Sequence, residues 1–388
     1  MSQSAVVISP RGEERVRAGH PWIYRTDVVD VHAAPGDVVE VVGPRRRRIG
    51  DALFSDRSQI SLRMLTTGGQ RADASLLRGR VEAAMAMRAS LALDADAYRL
   101  VHGEADLLPS LIVDRYGDHL VVQALSQGMD RLLPDIVGLL VELVHPVGIL
   151  ARNDPKVRAL EGLEQTVDVL YGEVPASVLV REGPVEYDVD LRAGQKTGLF
   201  LDQRENREAA ERYARGRLLD GFSYHGGFAL RLARRCAGAE ALEISADAVA
   251  RIRANAVRNG VPHLQAREVN VFDELRRLER AGARYDTIVL DPPAFAKNKA
   301  SVPNAVAGYK EINLRAMRLL APGGHLITCS CSYNVNEALF ADVLHGASAD
   351  SHVPMAIVEK RMQGRDHPVL VSVPETHYLK CFILRRVE

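Results

Sequence analysis

The chain has 388 residues, 47% apolar and 26% charged, with 50 basic against 50 acidic side chains. That length outgrows a single core and predicts two or three domains, while zero net charge disfavours a protein that coats nucleic acid non-specifically and still permits local basic patches. Apolar runs such as DIVGLLVELV fall short of the roughly 20 residues that a membrane span needs, and four cysteines make no disulfide scaffold, so free thiols in a reducing cytoplasm are expected.

The N-terminal stretch MSQSAVVISPRGEERV lacks the long apolar segment of a secretory signal. Residues 1–72 carry short β-like runs, PWIYR, PGDVVEVVG, RIGDALFS and QISLRML, broken by Gly, Pro and Asp at hairpin spacing. A small β-barrel or sandwich fits them. Within this region GPRRRRIG places Arg45, Arg46, Arg47 and Arg48 in a row, which reads either as a solvated hairpin tip or as a loop that contacts phosphates. Trp22 in GHPWIY reads as domain core.

TTGGQRADAS serves as a linker, and ASLLRGRVEAAMAMRASLAL follows with apolar residues at helical spacing. PSLIVDRYGDHLVVQAL predicts two strands joined by a turn at Tyr116, Gly117 and Asp118; DRLLPDIVGLLVELVHP is helical, and GILAR and VLVREGPVEYDVDL are strands. Residues 73–192 therefore predict a linker helix and a small central α+β domain.

From residue 193 to 388 strands and helices alternate. RLLDGF, GAEALEI, QAREVN, YDTIVLD and GGHLITCS are short apolar runs, and the helix SADAVARIRANAVRNG closes on a C-cap glycine, Gly260. The pattern predicts an α/β, Rossmann-like doubly wound sheet, in which ligands bind beyond the carboxyl ends of the strands.

Each strand end carries candidate chemistry. Gly226 and Gly227 in DGFSYHGGFAL suit either a plain tight turn or close approach of the backbone to a ligand; the motif is neither G-x-G-x-x-G nor a phosphate loop. Glu243, at the end of the second run, suits the two hydroxyls of a ribose or a helix start. Asn270, after the third, can reach an adenine edge. The fourth run ends in DPPAFAKNK, where Asp291 is followed by Pro292 and Pro293, which stiffen the loop, and by Phe295, which can stack on a planar base.

Glycine loop, second-strand acid and D-P-P-x-F together indicate a class I S-adenosylmethionine-dependent methyltransferase. With GHPWIY, PGDVVEV, RLVHGEADLLPSLIVDRYGD, GQKTGLFLDQRENR, FSYHGGFAL, GYKEINLRAM, SCS, DHPVL and PETHYLK, the chain resembles the PUA-domain rRNA methyltransferases of the bacterial 23S rRNA (cytosine-5)-methyltransferase I family over nearly its whole length. The resemblance implies a PUA-like RNA-binding domain, a central domain and a catalytic domain that holds S-adenosylmethionine through Phe222, Ser223, Tyr224, Gly226, Gly227, Glu243, Asn270 and Asp291. It implies RNA as partner, 23S rRNA or a large-subunit precursor, with Pro292, Pro293, Phe295 and Arg45–Arg48 on the substrate side; a homodimer is compatible with it. Three positions depart from the family pattern: Gly221 replaces an apolar residue, and Glu243 and Asn270 stand where aspartate is usual.

Cys329 and Cys331 in TCSCSYN raise a choice. Zinc needs about four ligands with recognisable spacing, which a lone C-x-C does not supply, and no C-x-x-C redox pair exists, so no metal is expected. In an extended strand, Cys329 lies a step further back beneath the apolar run, a buried small hydrophobe, and Cys331 falls past the strand end on the crevice side. The resemblance assigns Cys331 the role of nucleophile at carbon 6 of cytosine, with Asp291 bonding the base near N3. Two rivals stand beside this: an exocyclic-amine methyltransferase that uses D-P-P-x-F without a cysteine, and a non-catalytic RNA-binding factor on the same scaffold.

Overall fold

The computed structural model describes residues 4–296 and 298–388; Lys297, inside DPPAFAKNK, and residues 1–3 of the N-terminal stretch lie outside the described residues. The chain forms two compact units. The first runs to Val180 and adds Val189–Leu201 and Asp366–Thr376; the second comprises Arg181–Asp188, Asp202–Arg365 and His377–Glu388.

The first unit holds two sheets. Six strands between Ala5 and Met64 form the N-terminal one, antiparallel except where Ala5–Ile8 runs parallel to Val38–Val42. Their alternating Val, Ile and Leu point inward, and Val6, Ile8, Ile23, Val39, Val41 and Leu62 are fully buried. Trp22 departs from its expected place in this core. It is half-buried and spends its indole N–H on Glu104 at 3.1 Å, which ties the first sheet to the next part of the unit.

Asp73 caps the helix Ala74–Ser90 by accepting from the Leu76 amide, and five strands then form the second sheet. Strands Leu111–Tyr116 and His119–Ala124 flank a turn at Gly117, φ +59°, as the sequence suggests. Two features differ from expectation. Thr166–Gly172 adds an edge strand, and VLVREGPVEYDVDL folds as its own hairpin, Ser177–Glu182 with Val185–Asp190, outside the five-stranded sheet.

Polar groups are buried in this unit as a closed network. Arg99 grips Asp114 with two bonds from one guanidinium edge, at 2.8 and 2.9 Å, and its backbone amide donates to the Asp366 carboxylate. Arg88 pairs with Asp106 and donates to the Asp366 carbonyl at 2.8 Å, while the His367 ring bonds the Asp366 carboxylate. The DHPVL stretch thus returns from far along the chain to satisfy groups laid down near residue 100.

The second unit is built on a seven-stranded sheet: β1 (Arg217–Gly221), β2 (Gly238–Glu243), β3 (Leu264–Glu268), β4 (Tyr285–Leu290), β5 (Leu320–Ser330), β6 (Met355–Arg361) and β7 (Lys380–Arg386). The order is β3-β2-β1-β4-β5-β7-β6, with only β7 antiparallel to its neighbours. Helices Gly227–Ala233, Ala246–Arg258, Val271–Arg280, Val302–Leu319 and Glu337–Ser351 connect the strands and bury them. Gly260, φ +64°, follows the helix that ends at Arg258, as its C-cap reading requires. The order reverses between β1 and β4, and at such a switch point a crevice opens beyond the strand ends. Among the described residues no helix is long and apolar enough to cross a membrane.

Candidate active site

Pairing register brings the strand ends level. Gly221 sits opposite Leu242 of β2 and Leu290 of β4, and Leu290 opposite Thr328 of β5. The residues that follow, Phe222, Glu243, Asp291 and Cys331, therefore emerge on one edge of the sheet.

The loop after β1 is wound tightly. Phe222 (φ +64°), Tyr224 (φ +52°) and Gly226 (φ +82°) all take left-handed backbone, which is costly for the two aromatic residues and held by what surrounds them. Ser223 donates its hydroxyl to Asp220 at 2.6 Å, and the Tyr224 amide donates to Glu243 at 2.9 Å. Gly227 has a definite steric reason: a Cβ there would lie 3.1 Å from the Arg207 guanidinium, so the close approach it permits is to Arg207. Leu290 and Val271 would each stand 3.2 Å from a Cβ at Gly221, so any larger residue at that departure from the family pattern requires those side chains to shift.

Asp220 escaped the sequence reading, although a charged residue inside LLDG was the available signal. It is 1% exposed, its Oδ2 accepts from Ser223 and from the Ala229 amide, and its Oδ1 has no partner. Burial pushes its carboxyl up to about 7; the Ser223 bond opposes the rise, and the nearby charges of Asp291 and Glu243 add to it.

Glu243 is already engaged. Its Oε1 accepts from the Ile244 and Ser245 amides at 2.8 and 3.1 Å and its Oε2 from Tyr224, so of about four acceptor sites one remains, on Oε2. That accommodates one hydroxyl rather than two. Asn270 is exposed and caps the helix Val271–Arg280, its side-chain oxygen accepting from the Phe272 and Asp273 amides, which leaves only its NH₂ group for another partner.

These groups suit S-adenosylmethionine. Asp220, Glu243 and Asp291 converge around the loop, an acidic surrounding that favours a ligand carrying sulfonium and ammonium charges, and the buried Asp220 Oδ1 awaits a donor. Among the described residues no three His, Cys, Asp or Glu side chains cluster as metal ligands would.

Across the crevice, Asp291 Oδ1 accepts from the Gln203 amide at 2.8 Å. Gln203 is oriented by Asn206 at 2.7 Å, and Asn206 by Arg361 at 3.0 Å, so the DQRENR stretch, for which the sequence alone suggested no role, anchors the acid. Pro292 is buried and Pro293 exposed. Phe295 packs against Phe222, Phe272 and Tyr309, with ring centroids 6.3, 5.9 and 4.6 Å away, and against Gly308; its ring is a wall of the loop more than a freely offered stacking face.

The two cysteines part as strand geometry requires. Cys329 is fully buried opposite Cys381 of β7, and burial together with the Cys381 thiol pushes its own thiol well above the ordinary range. Cys331 lies one residue past β5, half-buried, with Sγ 3.9 Å from the Pro292 carbonyl. Ser332 beside it accepts from the Ala296 amide at 3.1 Å and bonds Tyr309, fastening the D-P-P loop to the end of β5. Lys380, also missed in the sequence, donates to the Ser332 carbonyl.

The four arginines divide. Arg45, Arg46 and Arg47 are exposed at the turn between the paired strands Val38–Val42 and Arg48–Phe54. Arg48 is held back by Asp51 at 2.8 Å, by Glu40 and by the Gln70 carbonyl, which leaves it a structural role.

Comparison with known proteins agrees with the fold. Residues 6–67 match the PUA-like domain model and residues 160–385 that of S-adenosylmethionine-dependent methyltransferases. The chain is 36% identical to ribosomal RNA large subunit methyltransferase I of Tolumonas auensis, over 99% of this chain and 100% of that one, and 37% identical to the protein of that name from Shewanella amazonensis, over 98% of each. Among solved structures it resembles an S-adenosylmethionine-dependent methyltransferase from Streptococcus mutans (TM-score 0.83, 20% identity, 98% of this chain and 99% of that one) and SMU.776, a methyltransferase complexed with S-adenosylhomocysteine (TM-score 0.85, 21% identity, with the same coverage).

Proposed function

Because the chain belongs to the S-adenosylmethionine-dependent methyltransferase family, with a PUA-like domain at its N-terminal end, we propose that it methylates carbon 5 of a cytosine in large-subunit (23S) ribosomal RNA. The observation that carries the reaction type is the half-buried Cys331 at the strand end, against the Pro292 carbonyl. Carbon 5 of cytosine is a poor nucleophile. Addition of the Cys331 sulfur to carbon 6 breaks the ring's 5,6 double bond and pushes its electrons to carbon 5. S-adenosylmethionine, when bound, supplies the methyl group that carbon 5 takes up. Loss of the carbon 5 proton then expels the sulfur and restores the ring.

Asp291 bonds the base near N3. Gln203 holds one of its oxygens, which orients the other toward the base edge. The extruded base enters beside the wall formed by Phe295 and Pro293. Asp220, Glu243 and the Phe222–Gly227 loop hold the cofactor, and Asn270 offers its amide hydrogens to the adenine.

Nucleoside mass spectrometry of rRNA from cells with and without the protein tests this reading. The expected loss is one 5-methylcytidine in 23S rRNA. Loss of an amino-methylated nucleoside instead would assign the exocyclic-amine reaction, and unchanged rRNA would leave only an RNA-binding role.

Arg45, Arg46 and Arg47 are read as phosphate-binding side chains. Replacing all three with alanine is expected to weaken RNA binding uniformly across sequences. The slope of log affinity against log salt should become shallower by about 0.7–0.9 for each phosphate no longer neutralised. An unchanged slope returns the run to a solvated hairpin tip.

A further inference from the structure

Strand β7 opens on a buried cation that the reaction above leaves unused. Lys380 is 2% exposed and sits opposite Ser330 in the β5–β7 pairing. Its Nζ donates to the Ser332 carbonyl at 2.7 Å and to the Tyr378 carbonyl at 2.8 Å. Neither partner is a carboxylate, so the ammonium has given up water without gaining a formal counter-charge. Such a group is retained at a cost. Ser332 is the residue after Cys331, so the cation is bonded to the backbone one residue from the thiol.

Two carbonyl oxygens take two hydrogens of the amine. A neutral amine still has two hydrogens for those same acceptors, so a proton can come and go at the third position without remodelling the site. In the charged state that position is an N–H; in the neutral state it is a lone pair. Burial lowers the Lys380 pKa to about 8, and the negative charge of Cys331 counteracts the fall. The amine therefore exchanges its proton closer to neutral pH than a solvated lysine does.

We propose that Lys380 activates Cys331 through its charge: the thiol S–H releases its proton to water, and the buried ammonium, bonded to the carbonyl of the next residue, favours the sulfur as thiolate. This rests on the reading of Cys331 as nucleophile. Lys380 acts through Cys331 and is a positioning and activating residue that need not touch the reacting base. The pairing has a clear purpose, because the thiolate is the reactive form and an adjacent cation enlarges its share.

The test is peptide-resolved alkylation of Cys331 by iodoacetamide across pH, in the full-length protein. In Lys380→Met the alkylation rate at pH 7 is expected to fall about tenfold and the profile to move up by about one pH unit. Lys380→Arg, which keeps the charge, should recover most of the rate. Binding of S-adenosylhomocysteine by calorimetry confirms that each variant is folded. An unmoved profile in a folded Lys380→Met protein overturns the inference.

The reciprocal measurement needs no change at Lys380. In Cys331→Ala, the Lys380 pKa followed through its ε-carbon chemical shift should fall relative to the unmodified protein, and no change there also overturns the pairing. Methyl transfer by Cys331→Ala tests the nucleophile separately, so the two ideas fail by different results.

Discussion

Replacing Cys331 with alanine is expected to cut methyl transfer by at least about 10⁴-fold while leaving affinity for S-adenosylhomocysteine within about twofold. The size follows from the chemistry: without the sulfur the ring has no route to a nucleophilic carbon 5, and water at carbon 6 is a weak replacement. The selectivity follows from the geometry. The loop proposed to hold the cofactor is fastened by Asp220, Ser223 and Glu243, whereas Cys331 bonds the Pro292 carbonyl. Cys329→Ala is the control. It leaves a small cavity beneath the sheet, worth about 1 kcal/mol, and methyl transfer persists. Activity near the original level in Cys331→Ala would sink the carbon 5 proposal and favour the amine reaction.

The largest expected effect on stability lies at Arg207. Its guanidinium meets the Glu182 carboxylate edge to edge, with Nε 2.8 Å from Oε1, and both residues are at most 4% exposed. The same side chain lies under Gly227, and the Tyr187 hydroxyl donates to the Gly227 carbonyl at 3.3 Å. Arg207→Met strands a buried carboxylate, which costs about 3–5 kcal/mol. For a unit of this size that corresponds to a fall in Tm of about 10 °C. The double variant Arg207→Met/Glu182→Leu should recover much of the loss, since it removes the stranded charge as well. If the double variant is no more stable than the single, the cost came from packing and the ion-pair account is wrong. Cofactor affinity should weaken in the single variant, because Arg207 supports the first turn of the glycine loop.

Local pattern carried much of the architecture. The five apolar runs after residue 193 correspond to β1 to β5, and the D-P-P acid and the Cys329/Cys331 spacing followed from where those strands stop. Antiparallel β7 and the edge strand Thr166–Gly172 were not legible, because their partners are set by pairing rather than by period. The site residues fared unevenly for a related reason. Nothing in a run of letters reveals that Glu243 has spent three of its acceptor positions on nearby amides, or that Asn270 caps its own helix. Gln203 and Lys380 depend on neighbours 88 and 48 positions away, Asp291 and Ser332. Arg48 looked equal to its three neighbours, and only the fold shows its charge taken up by Asp51 and Glu40.

The return of Asp366 to the buried arginines of the first unit bears on how the protein is made. Arg88 and Arg99 leave the ribosome early and find their carboxylates, Asp106 and Asp114, nearby, yet one acceptor for each, to an Arg88 N–H and to the Arg99 backbone amide, comes 278 and 267 residues later. The usual order of synthesis, in which the N-terminal domain is finished before the next begins, is therefore closed to this chain. The second unit is likewise interleaved, starting at Arg181 and resuming at His377 after the first has taken its last segment, Asp366–Thr376. The part that emerges first is completed only when that segment has been made, and until then water stands in for the two acceptors that Asp366 supplies. A nascent chain halted anywhere before residue 366 carries an unfinished first unit, whose unmet Arg88 and Arg99 N–H groups leave it open to proteolysis.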